Sequence, residues 1–330
     1  MTKQPFLGTA LLALEKDASR KGEVNKAHPN TNPAAKPRAA DLHQSGRNTR
    51  GKSKFGFKIA TWNIRTMLDS DTGDRARRRS AIIDLELSNI NADITALQEV
   101  RYSGEGHLRE KERTFFWMGC PDGERRRAGV AFAIKNELAD KLNEAPKGVS
   151  ERIMTLRICM AEDRYITIVN VYAPTMTYPD EEKEAFYAQL HGIIESIPKT
   201  DKLVLLGDFN ARVGDDYSTW SPVLGKFGKG QQNSNGELLT CLCAEFELAI
   251  TNTYFMQPDN HYYSWTHPRS KRSHLLDYII VRCKDLQEVK NTRAMRGPDC
   301  HTDHYLVCSS FGFNVKPKYH KQKKPSVKEN

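Results

Sequence analysis

From about residue 55 to residue 313 the chain alternates short apolar runs with longer stretches in which apolar residues return every three or four positions. Phe57–Asn63 (FKIATWN) is rich in β-formers, and Ile94–Gln98 (ITALQ) and Leu203–Gly207 (LVLLG) are apolar almost throughout. Runs of that kind suit central strands covered on both faces. Gly129–Ile134, Arg152–Met160, Tyr165–Tyr172, Leu275–Val281 and Tyr305–Cys308 read as further strands. Between them the period lengthens. Arg75–Ile90 carries Ile82, Ile83, Leu85 and Ile90 at helical spacing. Asp180–Ile197 places Phe186, Leu190, Ile193, Ile194 and Ile197 on one face, with acids in its first turn to complement the helix dipole. A third helix opens at Asn235-Gly236, with Leu238, Leu239, Leu242 and Phe246 together. Strand-rich stretches broken by a few long helices predict an α/β sandwich with helices packed outside two sheets. The span has no internal repeat and no break, so it is expected to be one domain.

Composition changes the picture at the ends. Residues 1–54 hold eleven Lys/Arg against four Asp/Glu, and residues 314–330 hold six Lys against one Glu. Of the total charge of +9, the two ends carry +7 and +5, which leaves residues 55–313 at −3. The pI of 9.1 therefore belongs to the ends. Segments that bury no apolar surface cannot offset their ordering entropy, so 1–54 and 314–330 are expected to be disordered basic tails that attract polyanions. Seven cysteines without a repeated C-x-x-C spacing suggest a reduced, intracellular protein, nuclear or cytoplasmic. Cys241 and Cys243 fall in a helical pattern and read as small core residues, not zinc ligands. No apolar stretch is long enough to span a membrane. Phe6–Leu14 faintly imitates a signal peptide but runs straight into Glu15-Lys16-Asp17, so secretion is not expected.

The chemistry recurs at the strand ends. Trp62-Asn63 follows IAT, Gln98-Glu99 follows ITAL, and Asn170-Val171-Tyr172 ends ITIV. Gly207-Asp208-Phe209-Asn210 follows LVLL, Asp277 sits within LLDYIIV, and Thr302-Asp303-His304 precedes YLVC. A strand leaving the core carries its last side chains to the sheet rim, where a rigid scaffold can aim them at a ligand. A single buried Asp near a strand end is more often a structural acceptor. Six such clusters containing Asn, Glu, Tyr, Asp-x-Asn, Asp and Asp-His are hard to read that way together.

In this order the clusters resemble the endonuclease/exonuclease/phosphatase superfamily, which includes deoxyribonuclease I, exonuclease III and abasic-site endonucleases. WNIRTM, ALQEVRYSGEG, GVAFAI, NVYAPT, GDFNARVG, SWTHPRSK and LLDYIIV resemble the endonucleases of RTE-type non-LTR retrotransposons and vertebrate proteins derived from them. The likeness covers nearly all of 55–313. It implies a deoxyribonuclease I-like, four-layer fold of two packed mixed sheets flanked by helices, and a Mg²⁺-dependent DNA endonuclease, with Mn²⁺ able to substitute. It further implies that Glu99 holds the metal, with Asn63 and Asp303 beside it. Asp208 would accept the proton of the attacking water and Asn210 would orient that water or the phosphate. Tyr172 would bind the phosphate or leaving oxygen, and Asp277 would hold His304 against the scissile phosphate. Asn63 is thus placed in both the catalytic and the metal network.

There are departures. Abasic-site enzymes of the superfamily carry an acid where this chain has Arg65, and usually Asn where it has Thr175. Both weaken a repair reading and leave the hydrolytic set intact. In the superfamily a hairpin at the place of Trp265 to Arg272 enters a DNA groove. That makes Arg269, Lys271 and Arg272 candidate phosphate contacts, with Trp265 better suited to packing. Arg125-Arg126-Arg127 fits a solvated turn as well as a DNA contact. A monomer acting on DNA, without a membrane, is the expectation. Two rivals remain: a transposon-derived binder of DNA or chromatin that no longer cuts, and a phosphoinositide or phospholipid hydrolase.

Overall fold

The runs with apolar residues at every position become the central strands of two sheets. The computed structural model describes residues 56–69, 78–161 and 164–313. In chain order the first half comprises β1 (Lys58–Asn63), α1 (Arg79–Ile90), β2 (Ile94–Gln98), β3 (Glu105–Arg109), β4 (Arg113–Met118), β5 (Val130–Lys135), α2 (Asn136–Ala139), β6 (Lys147–Ser150), β7 (Ile153–Ala161) and β8 (Arg164–Tyr172). The second comprises α3 (Asp180–Ser196), β9 (Lys202–Asp208), α4 (Ser234–Glu245), β10 (Leu248–Ile250), β11 (Trp265–Thr266), β12 (Ser273–His274), β13 (Asp277–Arg282), β14 (Val289–Ala294) and β15 (Val307–Phe311). One sheet runs β14-β15-β1-β2-β5-β4-β3 and the other β10-β13-β9-β8-β7-β6, while β11 and β12 form a separate small ribbon. Both sheets are mixed: β1 pairs in parallel with β2, and β8 in parallel with β9.

Successive side chains of a strand point to opposite faces, and the three apolar clusters follow that period. Ile59 and Leu206 enter the core between the sheets, together with Ala96, Phe132, Ile168 and Ile279. Their neighbours Ala60 and Leu205 face outward. Ala60 packs with Leu97 and Phe115 against Ile83 and Leu87 of α1. Leu205 packs with Val169 and Ile280 against Leu190 and Ile194 of α3 and Leu239 and Cys243 of α4. Helix, sheet, sheet and helices make the four layers expected of the sandwich. All seven cysteines are free, and Cys243 is one of the small core residues of α4.

Two details differ from the periodicity. Leu85 of α1 is exposed at 62%, while Arg79, Ser80 and Asp84 are on the buried side. The reason is a buried guanidinium: Arg113 of β4 donates to the carbonyls of Asp84, Leu87 and Ala92, which satisfies the carboxyl end of the helix. The last strand starts at Val307 and not at Tyr305, because the Tyr305 amide donates to Ser264 O instead and joins the loop beside β11. The expected tails, 1–54 and 314–330, lie outside the described residues.

Candidate active site

Sheet topology gathers the strand-end residues on one edge. Parallel pairing sets Asn63 opposite Gln98, one residue before Glu99, and sets Tyr172 opposite Asp208. Antiparallel pairing sets Asp277, the first residue of β13, opposite Asp208. Strand β15 is antiparallel to β1, so the chain passes through Asp303-His304 at this same edge before entering it. Close approach there depends on glycine. A Cβ on Gly207 would lie 1.9 Å from Val171 O, so no other residue lets β9 reach β8 just before Asp208.

One amide links the two sheets. Asn63 Nδ2 donates to Glu99 Oε1 at 3.0 Å and to Asp208 Oδ2 at 2.9 Å. The Tyr172 hydroxyl donates to the same Glu99 Oε1 at 3.1 Å, and Arg101 Nη2 donates to Glu99 Oε2 at 2.7 Å. On the other side His304 Nδ1 meets Asp277 Oδ2 at 2.9 Å, and His304 Nε2 lies 3.9 Å from Asp208 Oδ2. The Asn210 backbone amide donates to Asp208 Oδ1 at 2.9 Å, while its side chain donates to Ala173 O. Asp303 is bonded outside this network: Trp265 Nε1 donates to its Oδ2 at 3.0 Å, and Arg65 Nε is 3.7 Å from its Oδ1. Arg65, Glu99, Arg101 and Asn210 all have φ between 46° and 61°. Left-handed backbone at four non-glycine positions is costly, and such strain concentrates at functional sites.

The electrostatics divide the site in two. Asp208, Asp277 and His304 are buried. Burial opposes charge on His304, but Asp277, then Asp208 and Asp303, outweigh it and push its pKa up to about 9. Asp208 is raised as well, by burial first and the charge of Asp277 second, against the pull of His304, Asn63 and the Asn210 amide. Burial, with the charges of Glu99 and Asp208, raises Tyr172, which keeps its hydroxyl a donor. Donor atoms of Asp208, Asp277 and His304 lie within 4.8 Å of one another, the spacing of a metal cage. His304 Nδ1 is engaged by Asp277 Oδ2 at 2.9 Å and its Nε2 is 3.9 Å from Asp208 Oδ2, so the trio reads as a histidine held between two carboxylates.

Glu99 is different. Its side chain is 16% exposed, at the rim, and offers hard oxygen close to Asn63. Such a donor suits Mg²⁺, which keeps several waters and needs one or two protein carboxylates.

The small ribbon stands next to His304. Trp265 pairs with His274 across β11–β12, and the rings lie 5.9 Å apart at 24°; the Trp265 ring is 6.3 Å from that of His304. With its Nε1 on Asp303, Trp265 is a packed side chain. Arg269, Lys271 and Arg272 sit exposed in the loop that joins the two strands. Motif reading did not single out three cations here. Arg101 lies on Glu99, Arg152 stacks between the rings of Tyr172 and Tyr178, and Arg212 acts electrostatically on His274. Their signal was only their spacing: Arg101 and Arg212 each stand two residues beyond a site residue.

Fold and rim together define a sandwich of the kind found in metal-dependent phosphoesterases. A family model described as "Endonuclease/Exonuclease/phosphatase family" matches residues 60–299, and the chain belongs to that family. Craniofacial development protein 2 of Bos taurus is 28% identical over 96% of this chain and 55% of its own length; that of Tragulus javanicus is 30% identical over 80% and 43%. The chain thus spans about half the length of these relatives. Among solved structures, the endonuclease domain of TRAS1, a telomere-specific non-LTR retrotransposon, superposes with a TM-score of 0.51 at 17% identity. That match covers 78% of this chain and 98% of the domain. The catalytic domain of Xenopus laevis APE2 gives 0.55 at 17% identity, covering 79% and 94%. At such identities these structures speak for the fold.

Proposed function

We propose that the chain is a Mg²⁺-dependent phosphodiesterase that nicks one strand of DNA, derived from a retrotransposon endonuclease. The observation that carries this is Asn63 bridging the carboxylates of Glu99 and Asp208, with a buried His304 held by Asp277 beside them. Glu99 would hold the ion, with Asp303 and Asn63 nearby, and Mn²⁺ would substitute. Bound there, the metal supplies charge neutralisation and polarisation of the phosphate. Asp208, its affinity for a proton raised by burial, takes the proton of the attacking water. Asn210, fixed by its bond to Ala173 O, orients that water. His304, charged and held by Asp277, stabilises the negative charge that develops on the phosphoryl oxygens. Tyr172, whose one hydroxyl proton lies on Glu99 in the free protein, would turn it to the phosphate or the leaving oxygen when DNA binds.

Unpaired cations on both flanks favour a long polyanion over a small phosphate ester. Arg125, Arg126 and Arg127 run into Ala128, whose carbonyl accepts from Arg101 N, and Arg152 lies over Tyr172, while Arg212, Arg269, Lys271 and Arg272 surround the β11–β12 ribbon. None of the ion pairs among the described residues involves them. Among the described residues no helix is long and apolar enough to cross a membrane. The deciding experiment treats supercoiled plasmid with the full chain in Mg²⁺ or in EDTA. Open circles that form only with metal, and vanish with Asp208→Asn, are the expected result. Absence of nicking beside retained DNA binding would overturn hydrolysis and leave a binding protein.

A further inference from the structure

The carboxylate of Glu99 has its two oxygens in different situations. Oε1 accepts from Asn63 at 3.0 Å and from Tyr172 at 3.1 Å, so both of its lone pairs are committed. Oε2 is left for a cation, and Arg101 already stands on it at 2.7 Å. The arginine is weakly anchored. Its side chain is 42% exposed, its Nε is shut off from solvent with no hydrogen-bond partner, and its residue holds φ at 58°. The loop beneath is firm, since Val100 N donates to Gly129 O and Arg101 N to Ala128 O. The side chain can therefore leave without moving Glu99.

We propose that Arg101 is a built-in counter-ion that occupies the metal-binding oxygen of Glu99 in the metal-free protein, and that a divalent cation must displace it to bind. This rests on the reading of Glu99 as the metal-holding residue. Asn63 and Tyr172 keep the carboxylate aimed in both states, and the guanidinium keeps it neutralised when no metal is there. An unpaired carboxylate at the rim beside buried Asp208 and Asp277 would otherwise add to the repulsion inside the site. Arg101 is thus a positioning residue that sets the apparent metal affinity.

The test measures Mn²⁺ binding to the full chain without DNA, following free Mn²⁺ by electron paramagnetic resonance. Wild type is compared with Arg101→Gln, Arg101→Lys and Glu99→Gln, and circular dichroism checks that each variant is folded. Arg101→Gln should bind Mn²⁺ roughly tenfold more tightly, the size expected for removing a unit charge a few ångströms from a divalent ion in water-like surroundings. Arg101→Lys keeps the charge and should stay close to wild type. Unchanged or weaker binding in Arg101→Gln, while Glu99→Gln still weakens it strongly, overturns the displacement and leaves the metal reading intact. Wild-type binding that survives Glu99→Gln overturns the metal reading itself, and the counter-ion role with it.

Discussion

Asn63 commits both of its amide N–H groups to carboxylates, one from each sheet, and this makes the roles of those carboxylates separable. Glu99 is at the rim with a cation on its outer oxygen, whereas Asp208 is sealed beneath it against His304. Substitution should therefore produce two different defects. Glu99→Gln removes charge from the proposed metal position and leaves Asp208 intact, so raising Mg²⁺ should restore part of the nicking rate. Mass action repopulates a weakened site. Asp208→Asn removes the proton acceptor, and general-base catalysis is typically worth about 10²–10⁴ in rate. No concentration of metal should recover that loss. His304→Ala should likewise ignore Mg²⁺, because stabilisation of charge is lost while Glu99 stays in place. Nicking rate against Mg²⁺ concentration for the three variants decides the matter: recovery of Asp208→Asn by metal would merge the two roles.

At the scale of elements, three strands that end in site residues are tied together inside the protein. Thr61 Oγ1 donates to Gln98 Oε1 at 3.2 Å, Gln98 Nε2 donates to Asn170 Oδ1 at 2.7 Å, and Asn170 Nδ2 reaches Leu97 O and Ala131 O. These residues stand one or two positions before Glu99, Asn63 and Tyr172, and all three are buried. The chain of bonds fixes one sheet against the other directly behind the site. Asn170→Leu strands a buried Gln98 donor and should cost about 1–3 kcal/mol of stability. It should also lower kcat more than it raises KM, since the reacting groups lose register while the basic flanks remain. Denaturant melts alongside steady-state nicking give both numbers, and a stability loss with unchanged kcat would confine the network to structure. The ribbon β11–β12 makes a separate prediction. Burial lowers the His274 pKa, and Arg212, His267 and Arg272 add to that. A backbone phosphate offsets those charges and raises it, so binding takes up a proton. DNA affinity should then rise as pH falls below about 6.5, the ordinary histidine value from which His274 is lowered, and His274→Gln should flatten the trend. Fluorescence anisotropy from pH 5.5 to 7.5 (a range of about one unit either side of that value) would expose a flat wild-type profile if His274 stays clear of phosphate. These elements were unequally legible in the sequence. The interior strands β1, β2, β8 and β9 announce themselves because both faces are buried. Edge strands β3 (EGHLR) and β6 (KGVS) and the two-residue β11 and β12 escape, since one solvated face, glycine and brevity erase the pattern. The residues that meet at the rim could be picked out because strand ends label them. The seat of Arg101 on Glu99 could not, because it depends on the left-handed turn between them.

On the scale of the whole molecule, the charge is divided between regions. The span 55–313 carries −3 and holds the proposed chemistry, while residues 1–54 and 314–330 carry +7 and +5. A body of net −3 offers DNA no long-range attraction, and its basic flanks act only within about a Debye length, near 8 Å at physiological salt. The terminal segments are then the natural source of affinity that does not depend on sequence, and 55–313 the part expected to fold and cut by itself. Removing both segments should leave a protein with undiminished kcat on saturating plasmid. Its affinity should be lower and its dependence on salt shallower. Every phosphate that the shortened protein no longer neutralises reduces the slope of log K against log salt by about 0.9, so the change in slope counts the phosphates the ends engage. The measurement is DNA affinity from 50 to 200 mM salt (a range over which affinity falls by about 10³–10⁵ for six to ten neutralised phosphates) for the full chain and for 55–313. A parallel slope would assign phosphate binding to Arg269, Lys271, Arg272 and the other rim cations. Failure of 55–313 to fold, seen by circular dichroism, would contradict the single-domain boundary itself.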